Sequence, residues 1–352
     1  MNFASDNWAG VAPEISHALA KAGEQFGAAY GTSDVDQRAQ AAFAAVFERP
    51  VSVFFVATGT AANALAMSAI SKPGGVVFCH DEAHINVDEC GAIEYLTGGT
   101  RLKGLHGSDC KLAPDDIKQA VAAFDPEFVH GGRPVGVSIT QATEAGAVYS
   151  VEEVQAIASV VHEAGLALHM DGARFANALA ATGATPAEMS WKAGVDLLSF
   201  GATKNGCWCA EALVVFNDDL ASEIKWLRKR AGHLFSKARF IAVQFEAYLR
   251  NGLWLQLAKH ANGMASRLAV GLRDSNRASV VGEPQGNELF VWLRMEDVAA
   301  LRNEGANFYD WPDELQADAP QMRASGMQLV RLVTSFATTD ADVDALVNAV
   351  RS

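Results

Sequence analysis

Two residues set the chemistry this sequence can do. Asp171 ends an apolar run, Leu166 to Met170, and precedes Gly172-Ala173-Arg174. Lys204 ends a second run that starts at Val195 and closes with Gly201-Ala202-Thr203. A carboxylate at the end of one buried strand and an amine at the end of the next suit pyridoxal phosphate. That cofactor needs a lysine for its Schiff base and an acid that keeps its ring nitrogen protonated. A lone carboxylate on an apolar strand is costly to bury without a cation, and a pyridinium is such a cation. The competing role for Asp171 is a helix cap for the segment starting at Ala173. For Lys204 it is an exposed loop lysine.

Thr58-Gly59-Thr60 follows the apolar stretch Val51 to Ala57 and opens a helical stretch to Ile70. A strand, a glycine turn and a helix start present free N–H groups and a positive dipole end to a phosphate, although the same string is also an ordinary turn and cap. Without the lysine it is not a Walker A loop. His84 lies just past a strand end in Asp81-Glu82-Ala83-His84. There it would either stack on a cofactor ring or sit at the surface of a polar loop, and the residues leave both readings open. Arg174, three residues after Asp171, can point back to the same pocket edge and grip a carboxylate with two prongs. Arg331 stands within Leu329-Val330 and Leu332-Val333, where an unpaired charge is unusual. It is a second candidate for the same task.

These residues need a scaffold that brings strand ends together. Apolar runs at Val51–Ala57, Val76–Cys79, Val135–Thr140, Leu166–Asp171, Asp196–Phe200 and Leu213–Phe216 read as strands. Between them, Ala61–Ile70, Val151–Ala164 (stopped by Gly165) and Ala173–Ala181 read as helices. Alternation of helices with continuously apolar strands predicts a mostly parallel sheet covered on both faces, with ligands at the carboxyl ends of its strands. One or two helices follow over Ile224–Leu249. After Gly252 the pattern changes, to a helix over Trp254–Leu272 and strands at Glu288–Leu293 and Gln328–Ser335. This predicts a large α/β domain over residues 1–250 and a small α+β domain over 251–352.

A length of 352 residues fits two such units. The formal net charge of -13 argues against nucleic acid or an anionic membrane surface as partner. No apolar stretch is long enough to span a bilayer, and no secretory signal is expected at the start. The five cysteines are irregularly spaced, as expected of reduced thiols in the cytoplasm. Cys207 and Cys209 lie near Lys204, but no set of histidines or cysteines completes a metal site with them, and none is expected.

The strings FASDN from Phe3, Tyr30-Gly31, TGTAAN from Thr58, EAH at Glu82–His84, HMDGAR from His169 and TKNG from Thr203 together resemble low-specificity L-threonine aldolases. These are fold-type I pyridoxal-phosphate enzymes of the threonine aldolase and β-eliminating lyase family. The resemblance runs from about residue 3 to about residue 250, with a weaker echo at Arg331. It implies a seven-stranded, mostly parallel sheet sandwiched by helices, with residues 1–14 contributing to the active site. Lys204 would carry the cofactor, Asp171 would pair with its ring nitrogen, His84 would stack on the ring, and Gly59 and Thr60 would bind phosphate. Ser5, Arg174 and Arg331 would hold the substrate carboxylate. Tyr30 and Lys237 would reach a neighbouring subunit's active site within a homotetramer of tight dimers. Many members carry a histidine in the loop after the strand matching Val135–Thr140. This chain instead has Gln141-Ala142-Thr143-Glu144-Ala145-Gly146, so the base falls to Glu144, a water or His84.

The implied reaction is retro-aldol cleavage of a β-hydroxy-α-amino acid, L-threonine or L-allo-threonine to glycine and acetaldehyde. Alternatives are phenylserine cleavage, β-elimination, side-chain exchange or transamination with the same cofactor, and a homologue that has lost catalysis. The set Lys204, Asp171, His84 and Arg174 speaks against the last.

Overall fold

A computed structural model describes residues 1–313, 316 and 318–351. Two sheets organise them. The larger has seven strands: β1 (Ser52–Val56), β2 (Gly75–His80), β3 (Arg101–Leu105), β4 (Arg133–Thr140), β5 (Ala167–Gly172), β6 (Leu197–Gly201) and β7 (Glu211–Val215), in the order β1-β7-β6-β5-β4-β2-β3. From β3 to β6 every pairing is parallel, while β7 runs antiparallel to both β6 and β1. Thr140 lies opposite Asp171, and Asp171 opposite Ser199. The carboxyl ends of β4, β5 and β6 therefore stand in a row.

β2, β5, β6 and β7 are buried almost throughout, because helices cover both faces. On one face an aromatic cluster fills the space. Phe43 meets Phe245 and Phe200 edge-on, with ring centres 5.0 and 5.2 Å apart. Such fully buried rings each contribute on the order of 2–3 kcal/mol by removal from water. On the other face lies the helix Gly59–Ile70. Its four buried alanines, Ala61, Ala62, Ala64 and Ala66, let it approach the strands closely, and Leu65 and Met67 are buried with them. The helix Val151–Glu163 starts where a capping box fixes it. Glu153 N–H donates to Ser150 Oγ, and Ser150 N–H donates back to Glu153 Oε2.

β3 is the strand that the apolar runs do not reveal. It is an edge strand with Arg101 and Lys103 exposed, so nothing in its sequence is continuously hydrophobic. The helix expected from Ala173 begins at Phe175, because residues 173–174 form the turn that leaves β5.

The second sheet is antiparallel, with β8 (Ala278–Val280), β9 (Glu288–Arg294), β10 (Tyr309–Asp310) and β11 (Met327–Val333) in the order β10-β11-β9-β8. It has its own core, built from Leu289, Val291, Leu293, Val330 and Leu332. The helix Leu253–Arg273 serves both cores, giving Trp254 and Ala258 to the first and Ala265, Leu268 and Leu272 to the second. The N-terminal segment also joins the second core. Phe3 is fully buried there, its N–H donating to the Asn307 carbonyl and its carbonyl accepting from Val333 N–H, both at 2.8 Å. Among the described residues, no helix is long and apolar enough to cross a membrane.

Candidate active site

Asp171, at the end of β5, is buried. Its Oδ2 accepts from Asn63 Nδ2 at 2.8 Å and its Oδ1 from Ala173 N–H at 3.0 Å. It thus caps the turn after β5, as the cap alternative anticipated, and still has no arginine, lysine or histidine in ion-pair contact among the described residues. A buried carboxylate held by two neutral donors retains lone pairs for a cationic N–H. A protonated pyridine nitrogen would suit those lone pairs.

Asn63 links Asp171 to a second acid. The same Nδ2 donates to Glu89 Oε1 at 2.8 Å, and that oxygen lies 3.0 Å from His84 Nδ1. Glu89 has no side-chain exposure, whereas the His84 side chain is 43% exposed. The hydrogen bond to Glu89, reinforced by the charge of Asp171 against the effect of burial, raises the His84 pKa. The backbone N–H of His84 donates to Glu144 Oε1 at 2.8 Å. Glu144 Oε2 is buried and has no hydrogen-bond partner among the described residues. Burial pushes the Glu144 carboxyl up to about 7. Beneath the site His169 is clasped between the hydroxyls of Ser138 and Ser199, at 2.9 and 3.0 Å. Burial pushes it down to about 4, so it is neutral at physiological pH.

Lys204 lies in the short 3-10 turn Thr203–Asn205 that follows β6. Both its neighbours are pinned. Thr203 N–H donates to Glu211 Oε1 at 3.2 Å, while Asn205 Nδ2 donates to Tyr248 Oη at 2.6 Å and to the Trp254 carbonyl at 2.8 Å. Gly206 then turns at φ +108°, with Leu257 and Ala12 so close that a Cβ would meet them at 3.0 and 3.1 Å. The lysine itself has no hydrogen bond or ion pair among the described residues, and its charge is felt by Asp6, His84 and Glu211. Across β1, Thr58 Oγ1 accepts from Ala61 N–H and the Thr58 carbonyl from Ala62 N–H. The N–H groups of Gly59 and Thr60 are left without partners among the described residues. A Cβ at Gly59 would meet nothing within 4 Å, so the helix start faces open space, as a phosphate requires.

The arginines meet two further acids. Arg174 grips Asp6 with Nε and Nη2, at 2.8 and 3.1 Å, and its Nη1 lies 3.2 Å from Glu288 Oε2. Arg331 Nη1 reaches Glu288 Oε1 at 3.4 Å, and its guanidinium lies 4.2 Å from the centre of the Trp311 ring. Burial works to raise the Asp6 carboxyl, but Arg174 and then Lys204 hold it below its ordinary value. Burial lowers the pKa of Arg331, which Glu288 partly offsets. Ser5 caps the turn carrying Asp6, its Oγ accepting from Asn7 N–H at 3.1 Å. An incoming carboxylate must therefore exchange with Asp6 or Glu288.

Gly59, Thr60, His84, Asp171 and Lys204 thus gather at the carboxyl edge of the large sheet, with Ser5, Arg174 and Arg331 beside them. Tyr30 and Lys237 do not. They sit together elsewhere, both exposed, where Tyr30 N–H donates to the Ser236 carbonyl at 2.9 Å. Reading the sequence missed Asn63, Glu89, Asp6, Glu288 and Glu211. Asn63 and Asp6 lie inside strings already singled out, but their partners are remote in sequence, and no spacing signals them.

The comparisons with known proteins agree with this geometry. The profile of the beta-eliminating lyase family matches residues 2–296. A low specificity L-threonine aldolase of a Pseudomonas species is 41% identical over 87% of this chain and 88% of its own length. That of Pseudomonas aeruginosa is 42% identical over 89% and 90%. The solved structure of Leishmania major threonine aldolase superposes with a TM-score of 0.91 at 30% identity, covering 99% of this chain and 98% of that one. This chain is a member of the beta-eliminating lyase family.

Proposed function

We propose that the protein is a pyridoxal-phosphate-dependent aldehyde lyase that cleaves L-threonine and L-allo-threonine to glycine and acetaldehyde. The observation that carries this reading is the pairing of a buried, cation-free Asp171 with an unpartnered Lys204 on adjacent strand ends, in a chain whose relatives of more than 40% identity are named for this activity. When bound, pyridoxal phosphate supplies an electron sink for the pair released by Cα–Cβ cleavage.

The chain's own residues do the rest. Lys204 would anchor the cofactor, Asp171 would hold a proton on its ring nitrogen, His84 would pack against the ring, and Gly59 and Thr60 would donate to its phosphate. Arg174 and Arg331, with Ser5, exchange their acid partners for the substrate carboxylate. This would set which bond of the substrate is positioned for cleavage, so bond choice is a matter of positioning. Glu144 Oε2 takes the β-hydroxyl proton. That Oε2 is a buried carboxyl oxygen without a hydrogen-bond partner among the described residues, burial pushes the carboxyl up to about 7, and His84 is already engaged by Glu89. Tyr30 and Lys237 complete the site of a neighbouring subunit in a homotetramer. Residues 1–250 form the cofactor domain and 251–352 the small domain. Five free cysteines suit a cytoplasmic setting.

The family's name raises β-elimination as the second reading. Assaying acetaldehyde from threonine against pyruvate from serine separates the two, and aldehyde is the expected product. Replacing Lys204 by Ala is expected to abolish both the cofactor's visible absorption and turnover. Persistence of either in that variant removes Lys204 from the mechanism.

A further inference from the structure

The carboxyl edge of the large sheet carries a second cluster of side chains, outside the Asp171–Lys204 pocket. β2 and β3 run parallel with His80 opposite Leu105, and Asp81 N–H donates to the Leu105 carbonyl at 3.0 Å. The two segments leave the sheet side by side, and Asp81 meets His106. Gly104 permits this approach, since a Cβ there would meet Asp81 Cα at 2.9 Å. His106 Nδ1 lies 3.2 Å from Asp81 Oδ2, and His80 Nδ1 lies 3.0 Å from Asp81 Oδ1. The three ligand atoms fall within 4.8 Å of one another.

The protons on His80 can be assigned from its contacts. Nε2 is 3.0 Å from the Gly107 carbonyl, which only accepts, so Nε2 carries hydrogen. Nδ1 receives Glu82 N–H at 3.0 Å, so it offers a lone pair. That lone pair also faces a carboxylate oxygen at 3.0 Å. Glu82 N–H is shared between Nδ1 and Asp81 Oδ1, at 3.0 and 3.2 Å, and an ion bound here would take the place of that shared donor. A buried imidazole with one nitrogen tied to a backbone carbonyl and the other turned to a carboxylate is the arrangement that orients histidine towards a metal. The spacing of about 3 Å is that of neighbouring ligands each ~2.1 Å from one ion.

We propose that His80, Asp81 and His106 bind one divalent first-row transition-metal ion. Two imidazoles and a carboxylate, with no thiolate, select the zinc, nickel and manganese class over calcium or copper(I). The role is structural. The ion joins the ends of β2 and β3. Because Asn86 Nδ2 donates to the Asp81 carbonyl at 2.7 Å, it also steadies the short helix His84–Val87 that carries His84.

The test is calorimetric titration of untagged, chelator-treated holoenzyme with Ni²⁺ and with Zn²⁺. One ion per chain is expected to bind at micromolar or tighter affinity. His106→Ala and Asp81→Asn are each expected to weaken it about tenfold or more, as lost metal ligands do. The His106 side chain is 74% exposed, so its removal leaves the fold intact. His130→Ala, an exposed histidine outside the cluster, should bind as the parent does. Hydrogen exchange over residues 80–87 should slow with Ni²⁺ in the parent and not in His106→Ala. Absence of saturable binding, or equal affinity in His106→Ala and parent, overturns the proposal.

Discussion

Glu144 and His84 divide the acid–base work through what they touch. His84 Nδ1 is bonded to a buried glutamate, which raises the pKa of the ring and engages that nitrogen. Glu144 has one oxygen committed to His84 N–H, and burial, against the hydrogen bonds of His84 and Thr140, brings its pKa to about 7, where a base is both available and strong enough. The base is active when deprotonated, so turnover rises with pH through about 7. Glu144→Gln keeps the acceptor for His84 N–H and removes the titration. Its kcat is expected to fall by roughly 10²–10⁴ with KM little changed, and the limb near 7 is expected to vanish from its pH profile. If the limb survives in that variant, the proton goes elsewhere. The sequence made Glu144 visible as the odd residue in its loop. It could not show that Glu89, five residues past His84, withdraws the imidazole from the competition, because that depends on Asn63 holding the buried Glu89 carboxylate from a different helix.

At the scale of elements, the strands that build the site were legible because burial on both faces forces most of their residues to be apolar. β4 to β7 are of this kind. β3 escaped because one side of it has no neighbour, and β7 was read short by two residues because it begins with a charged one, Glu211. That glutamate is 7% exposed and stands opposite Gly201 on β6 and Val56 on β1. Burial pushes its carboxyl up to about 7, against the hydrogen bonds from Thr203. A carboxyl whose folded pKa is raised binds its proton more tightly in the native state. The stability this gives is present below about 4.5, the ordinary value, and is lost as pH rises through about 7. A shift of that size corresponds to something on the order of 3 kcal/mol for a buried group. Glu211→Gln retains an oxygen for Thr203 N–H without the charge. Urea unfolding should show parent and variant nearly equal at pH 5 and the variant more stable at pH 8, by on the order of 2–3 kcal/mol. A constant difference between the two pH values means that Glu211 does not titrate in this range.

For the molecule as a whole, one charge network ties three distant stretches together. Asp6 from the N-terminal segment, Arg174 from the turn after β5, and Glu288 with Arg331 from the second sheet form two cations balanced by two anions. Both sheets and the chain's beginning thus converge on the substrate-carboxylate end of the pocket. The one part of the expected site that a single chain leaves apart is the pair Tyr30 and Lys237. Tyr30 is 51% exposed, its ring lies under Lys229 Nζ at 5.0 Å, and it touches none of the pocket residues. Two exposed side chains that share a surface away from their own pocket would serve catalysis by crossing to another subunit. In a two-fold dimer each pocket would then draw Lys204 from one chain and Tyr30 from the other. Co-expressing Lys204→Ala with Tyr30→Phe, each nearly inactive alone, tests this directly. Half of randomly paired dimers are mixed, and each mixed dimer holds one pocket with both native residues. About a quarter of parental activity should therefore return. If Tyr30 instead serves its own subunit, no mixed dimer regains an intact pocket, and the co-expressed pair stays as inactive as its parts.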